Sequence, residues 1–342
     1  MRHVKSALIV VLVVSLPAIV GLRGTAAVPS QKSVPNEEST QTDSEREKLV
    51  GTYQLIGRET KDANGTWQPT PNFSSIGYIT YSDTGYMGVH VMPNDRASFT
   101  GAQPTAQEAK AALQGYTAYY GPFSTEEDED GKFVIHHRIG QINPGGEVDA
   151  KRFYDFGSDR LILTPAAADG SKEQAARRVL WKRLPEVPLS NEAKQFVGFR
   201  QLLYTDRYTE REGRQVTHGQ RNESRAGSYI IYTPTGHMMV HLMAREGRTP
   251  YDGATPTPEE ALAAYRSFGG YFGRFTVHEG AVPPYVVHHQ EGRPRPSVLP
   301  TDAERLYQLD GAVLRLGGRP RTSDGENTGG HLYWEMLPAR PE

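Results

Sequence analysis

The chain writes GYITYSDTGYMGVHVM over residues 77–92 and SYIIYTPTGHMMVHLM over residues 228–243. Tyr78, Tyr81, Gly85, Met87, His90 and Met92 of the first stretch return as Tyr229, Tyr232, Gly236, Met238, His241 and Met243 of the second, always 151 residues later. Each stretch is a pair of apolar and aromatic runs around a turn, Ser82-Asp83-Thr84-Gly85 or Thr233-Pro234-Thr235-Gly236. This is the pattern of two antiparallel strands joined by a tight connection. A hairpin that recurs at long spacing predicts a duplicated unit.

The correspondence extends outward in both directions. Upstream, Val50-Gly51 and Gln54-Leu55 match Val197-Gly198 and Gln201-Leu202 at a separation of 147. Downstream, Thr105, Glu108, Ala109, Tyr119, Gly121, Phe123, His136 and His137 match Thr257, Glu260, Ala261, Tyr271, Gly273, Phe275, His288 and His289 at 152. Asp149, Arg152, Tyr154, Leu161, Trp181 and Leu184 match Asp302, Arg305, Tyr307, Leu314, Trp334 and Leu337 at 153. In the first copy, strand patterns fall at about residues 49–59, 76–82, 85–92, 120–126, 132–139, 148–156, 159–164 and 177–183. One helix interrupts them between the third and fourth strands. Thr105-Ala106-Gln107-Glu108 is a capping box followed by Ala109, Ala112, Leu113, Tyr116 and Tyr119 at helical spacing, and Thr257-Pro258-Glu259-Glu260 repeats its start with proline at the first helical position. Eight short antiparallel strands close most simply into an up-and-down barrel, which removes exposed sheet edges and leaves room for one small ligand. The expected architecture is therefore mainly β, two tandem eight-stranded antiparallel barrels with one short helix each.

Several of these motifs resemble the lipocalin-like domain family. They are Leu49-Val50-Gly51-Thr52-Tyr53, Gly77-Tyr78-Ile79-Thr80-Tyr81 with Gly85-Tyr86-Met87, Tyr119-Tyr120-Gly121, the pair His136-His137 and the closing Leu180-Trp181. The second copy departs from the opening motif, placing Arg200 where the first has an aromatic residue. The resemblance implies a small calycin-type barrel and, for the group as a whole, ligand binding; a fold alone does not name a ligand.

Residues 1–27 read as a leader. Arg2, His3 and Lys5 precede an apolar run from Ala7 to Val20, and Thr25-Ala26-Ala27 offers a cleavage site, so the chain is expected to be exported, to a periplasm or the exterior, with no membrane span left after cleavage. Residues 28–46 read as a flexible tether, 47–185 as the first domain, 186–194 as a linker and 195–342 as the second domain. Cysteine is absent, so each core must hold by packing without disulfides. The net charge of −2 provides no basic excess for nucleic acid. No nucleophile elbow, Walker loop or dinucleotide fingerprint occurs, and the histidines lack metal-ligand spacing, so neither cofactor nor metal is expected.

Candidate ligand contacts follow from strand parity, taking the more apolar face as the inner one. By that rule His137 lies inward with Phe133, Ile135 and Ile139, and His289 with Tyr285 and Val287, while His136 and His288 point out. Arg152 shares a face with Ala150, Tyr154 and Phe156, and Arg305 with Ala303, Tyr307 and Leu309. An arginine so placed either orients an anionic ligand or closes a barrel end by stacking on the tryptophan or bonding loop carbonyls. His90 and His241, each beside a methionine, join as polar contacts. Tyr119, Tyr271, Trp181 and Trp334 supply aromatic surface for a ligand or for a packed interior.

The leading expectation is an exported barrel pair that binds a small, partly apolar molecule, an anionic one among the candidates, through these residues. Two alternatives stand beside it: a non-catalytic interaction module with filled barrels, and an isomerase or cyclase using His137 or His90 beside Arg152.

Overall fold

The computed structural model describes residues 45–145, 148–211, 214–221, 227–244, 247–296, 301–323 and 326–340. The leader and most of the tether lie outside the described residues. Residues 45–49, at the expected tether boundary, form a helical turn.

The first copy runs β1 (Gly51–Lys61), β2 (Trp67–Pro69), β3 (Ser75–Tyr81), β4 (Tyr86–Pro93), α1 (Ala106–Leu113), β5 (Thr117–Asp128), β6 (Gly131–His137), β7 (Gly140–Gln141), β8 (Asp149–Phe156), β9 (Arg160–Pro165) and β10 (Arg177–Arg183). Eight of these strands pair in the order β10, β9, β8, β6, β5, β4, β3, β1, and β1 returns to β10, so the sheet closes. Leu55 lies opposite Trp181 at the seam. The short strands β2 and β7 hang on β1 and β5.

After α2 (Asn191–Lys194) the second copy repeats the plan with β11 (Gly198–Arg211), β12 (Arg214–Arg221), β13 (Tyr229–Tyr232), β14 (His237–Met243), α3 (Pro258–Ser267), β15 (Phe268–His278), β16 (Tyr285–Gly292), β17 (Thr301–Asp310), β18 (Val313–Gly317), β19 (Arg321–Ser323) and β20 (Glu326–Met336). Here β11 pairs with β20 to close an eight-stranded barrel, with Leu202 opposite Trp334. Both capping boxes form as the sequence predicts, Thr105 with Glu108 and Thr257 with Glu260. The first helix ends at Leu113, earlier than the apolar spacing suggests. Gln114 turns extended and Gly115 adopts a φ of +74°, a conformation that costs a β-carbon, so Tyr116 leaves the helix just ahead of β5 and Tyr119 lies within that strand.

A short helix plugs one end of each barrel. In the first, Tyr53 donates to the Leu49 carbonyl at 3.0 Å and Tyr154 donates to Glu45 at 3.1 Å. In the second, Arg200 occupies the place of Tyr53, almost fully buried, and donates to the carbonyls of Gln195 (2.6 Å) and Ala312 (2.7 Å), while Tyr307 donates to Glu192 of α2. The departure from the family's opening motif thus keeps the plug and changes its chemistry.

The barrels are not beads on a string. Between their separate cores lies a third apolar cluster drawn from both copies, including Tyr78, Tyr116, Phe199, Ile231, Met239, Phe268 and Phe272. Helices α1 and α3 pack on each other, with Ala109, Ala112, Ala261 and Ala264 buried. The contacts obey a pseudo-twofold exchange. Arg96 donates to the carbonyls of Pro294 (2.8 Å) and Arg293 (2.7 Å), and its counterpart Arg248 donates to those of Ile142 (2.8 Å) and Gln141 (2.6 Å). Val187, following the first barrel, donates its amide to Pro234 in a hairpin turn of the second, and Arg340, following the second, donates to Thr84 in the matching turn of the first. Among the described residues no helix is long and apolar enough to cross a membrane.

Candidate functional site

The inner face of β6 carries Val134 and His136 rather than Phe133, Ile135 and His137. The parity rule fails here because the outer face is apolar for a different reason. Phe133 and Phe153 meet edge to face at 5.8 Å, and the ammonium of Lys151 sits 4.2 Å and 4.5 Å from their ring centroids, so outward aromatics are covered by a cation and its methylene stem. His137 therefore lies on the outside, bonded to Asp149 (2.8 Å) and Ser124 (2.9 Å), and His289 repeats this with Asp302 (2.8 Å) and Thr276 (3.0 Å). Both expectations of an inward His137 and His289 are overturned.

Inside each barrel the other histidine of the pair is fully buried between two tyrosines. His136 bonds Tyr81 through Nε2 at 2.7 Å and Tyr119 through Nδ1 at 2.9 Å. His288 bonds Tyr232 at 2.8 Å and Tyr271 at 2.8 Å through the same two atoms. Burial pushes the His136 pKa well below the ordinary histidine value, with the charge of Arg152 adding to the effect; burial and Arg305 bring His288 down to about 3. Both rings are thus neutral at pH 7. A neutral imidazole offers one donor and one acceptor, so one tyrosine hydroxyl donates to the ring and the other accepts from it. Burial holds Tyr81 and Tyr232 well above the usual tyrosine range, so these hydroxyls keep their protons.

Beside the first triad opens a cavity of about 710 Å³. Its walls include Leu55, Ile79, Val89, Val91, Leu163, Val179 and Trp181, and its polar end is formed by Tyr119, His136 and Arg152. Among the described residues, the hydrogen bond of Arg152 goes to the Lys151 carbonyl at 2.8 Å, and Arg305 makes the same bond to Glu304 at 2.8 Å. Tyr154 and Tyr307, expected near the ligand, serve the plugs instead. Trp181 and Trp334 are buried, each with an indole N–H that lacks a partner.

His90 and His241 point out of their barrels. They meet each other across the pseudo-twofold, with ring centroids 4.3 Å apart and neither ring exposed to solvent. His90 Nδ1 bonds the Tyr116 hydroxyl at 3.1 Å; the second copy has Phe268 at the matching position, so His241 has no side-chain hydrogen-bond partner. Burial, reinforced by the neighbouring imidazole, sends His90 well below its ordinary value, and burial takes His241 to about 3. These two residues hold the domains together and do not contact either lumen.

The lipocalin-like domain profile matches residues 50–184 and again residues 210–336. The chain belongs to the lipocalin-like domain family. The second match starts beyond the segment that carries Arg200. A lipocalin-like barrel is a binding type of domain, and the open lumen of the first copy fits that type. A comparison with curated proteins returns no match. Among solved structures the chain is similar to the tesB protein of Mycobacterium avium subs paratuberculosis at 11% identity, over 76% of this chain and 96% of that one. The TM-score of that alignment is 0.10 and carries no argument.

Proposed function

We propose that the first barrel binds a small, partly apolar molecule whose anionic end meets Arg152, and that the N-terminal signal carries this binding protein out of the cytoplasm. The supporting observation is the cavity itself. Its volume of about 710 Å³ lies in the range of small-molecule sites, aliphatic side chains line its inner walls while charged and polar ones such as Arg58, Asp95 and Arg177 also line it, and the guanidinium of Arg152 stands at its polar end beside a neutral Tyr-His-Tyr triad. Such a triad favours recognition over proton abstraction, because both nitrogens of His136 are already engaged and burial weakens its basicity. An open lumen also favours binding over a barrel filled by its own side chains.

Dodecanoate, matched against dodecanol, tests the reading. Titration followed by Trp181 fluorescence is expected to show saturable binding of the acid, and Arg152→Ala is expected to weaken it about tenfold or more while leaving the alcohol unchanged, the value of a hydrogen bond to a charged group. Equal affinity of wild type and Arg152→Ala for the acid removes the anionic end from the reading; failure of both probes to bind the wild type overturns the apolar site.

A further inference from the structure

The outer face of the first barrel carries a line of three side chains that the lumen does not use. Ser124 on β5, His137 on β6 and Asp149 on β8 stand on three consecutive strands of the sheet. His137 lies directly opposite Asp149 and one diagonal step from Ser124, whose partner in register is Ile135. Its Nδ1 is 2.8 Å from Asp149 Oδ1 and its Nε2 is 2.9 Å from Ser124 Oγ. A carboxylate only accepts, so the neutral ring keeps its proton on Nδ1 and donates it to Asp149. Nε2 is then an acceptor, and the Ser124 hydroxyl donates to it. Nucleophile, base and orienter thus follow in the order that activates serine for acyl transfer on unrelated folds. Unlike His136, this imidazole can be reached from solvent: the side chains of His137 and Asp149 are 32% and 61% exposed.

The second copy repeats the line as Thr276, His289 and Asp302, at 3.0 Å and 2.8 Å. A hydroxyl, an imidazole and a carboxylate are kept at all three positions although their flanks changed. Pro122 and Ile139 of the first copy are Arg274 and Glu291 in the second. Arg274 and Glu291 pair at 3.3 Å and share with His289 and Asp302 the lining of a cleft of about 520 Å³ that Ile76 and Met92 of the first copy complete. Thr276 also carries its hydroxyl on a branched carbon, which stiffens the side chain and crowds attack. Beside the first line the flanking residues are uncharged, and Ile139 is half-exposed. The two lines therefore share a geometry and differ in what they admit.

We infer that Ser124, His137 and Asp149 form an acyl-transfer site on the outer face of the first barrel, one that hydrolyses small esters with an apolar acyl group. Ser124 Oγ bonds to the ester carbonyl carbon while its proton passes to His137 Nε2. The tetrahedral adduct then expels the alcohol oxygen, which takes that proton and leaves Ser124 acylated. Water attacks the acyl carbon in turn, gives a proton to Nε2, and the Ser124 oxygen departs and recovers it, releasing the carboxylic acid. An open strand face leaves the oxyanion to solvent, which forgoes the factor of about 10²–10³ that one fixed donor supplies. The site accordingly suits esters with good leaving groups.

The test uses the full chain with p-nitrophenyl butyrate and, separately, diisopropyl fluorophosphate. The organophosphate is expected to add one diisopropylphosphoryl group to the wild type, which peptide mapping places on Ser124 and not on Thr276. Ester hydrolysis should fall about a hundredfold in Ser124→Ala. Asp149→Asn should lose a similar factor, because its amide can donate to Nδ1 and so leave Nε2 carrying the proton. Labelling is read on the wild type and does not depend on how either variant folds. Hydrolysis that survives Ser124→Ala but falls in His137→Ala is catalysis by an imidazole alone and overturns the inference. So does the absence of an adduct on Ser124, or a label on Thr276 in its place. Dodecanoate binding in the lumen uses none of these three residues, so the two readings stand or fall separately.

Discussion

The folded chain is expected to lose most of its stability between pH 6.5 and about pH 4.5, above the range in which its carboxylates titrate. His90, His136, His241 and His288 are all fully buried and neutral, and the pKa of each is lowered, to about 3 for His241 and His288. In the unfolded chain each returns to about 6.5. The folded values lie below the unfolded ones, so the unfolded state binds more protons and the stabilisation is complete above pH 6.5 and drains away as pH falls toward 3. At pH 4.5 the loss is roughly 2–3 kcal/mol for each of His241 and His288, and His90 and His136 add losses of the same sign, together a large share of the stability of an ordinary domain. Urea unfolding at pH 7, 6, 5 and 4.5 measures it, and the slope should correspond to an uptake of up to about four protons. Glu45, held down to about 2 by hydrogen bonds from Lys132 and Lys48 against the cost of burial, contributes its own loss only at lower pH.

Two substitutions separate the histidines. His241→Phe should remove close to one proton from the slope and leave stability at pH 7 nearly unchanged, because no side-chain partner is stranded by its loss. His136→Phe should remove a similar share but cost about 2–4 kcal/mol at pH 7, since it strands the hydroxyls of Tyr81 and Tyr119 in the interior. A stability that stays flat down to pH 5 would contradict the burial of all four rings.

The duplication, the strand pattern and the helix caps were legible because they depend on local chemistry. Glycine, the capping boxes and the apolar runs specify hairpins and helix starts without reference to what lies outside. Which face was inner was not legible from apolarity, because both faces of several strands are buried. Ile230-Ile231 and Met238-Met239-Val240 are apolar without alternation, and the structure gives the reason: Ile230, Met238 and Val240 fill the second barrel while Ile231 and Met239 fill the seam between barrels. Unbroken apolarity of this kind marks a strand covered on both sides, and it was the available signal that His241, and by repetition His90, faces a neighbour rather than a lumen. His136 left a fainter trace. Its inward position depends on Phe133 and Phe153 being roofed from outside by Lys151, a long-range contact that no local pattern encodes.

The same seam supports the second large effect, that Arg96→Ala and Arg248→Ala together convert a single unfolding transition into two. Each guanidinium crosses from its own copy to two backbone carbonyls of the other, and each also binds at home, Arg96 to the Ala112 carbonyl at 3.2 Å and Arg248 to the Ser267 hydroxyl at 2.8 Å. Truncation leaves the carbonyls half-buried without donors and removes the packed stem, a cost of about 2–4 kcal/mol at each site. The two sites are independent in sequence but serve one interface, so their loss falls on the coupling between barrels more than on either barrel core. What remains at the seam is the apolar cluster, the His90–His241 pair, which has no hydrogen bond between its rings, and a few peripheral bonds such as Tyr78 to Glu291, Tyr251 to Asn143 and the Val187 and Arg340 amides at the two turns. Calorimetry of the wild type should therefore give one cooperative transition and the double variant two, the earlier at a clearly lower temperature. Two transitions in the wild type, or one unshifted transition in the double variant, would mean that the reciprocal arginines do not couple the barrels. In that case the shared apolar cluster and the packed helices α1 and α3, not the arginines, would couple the barrels.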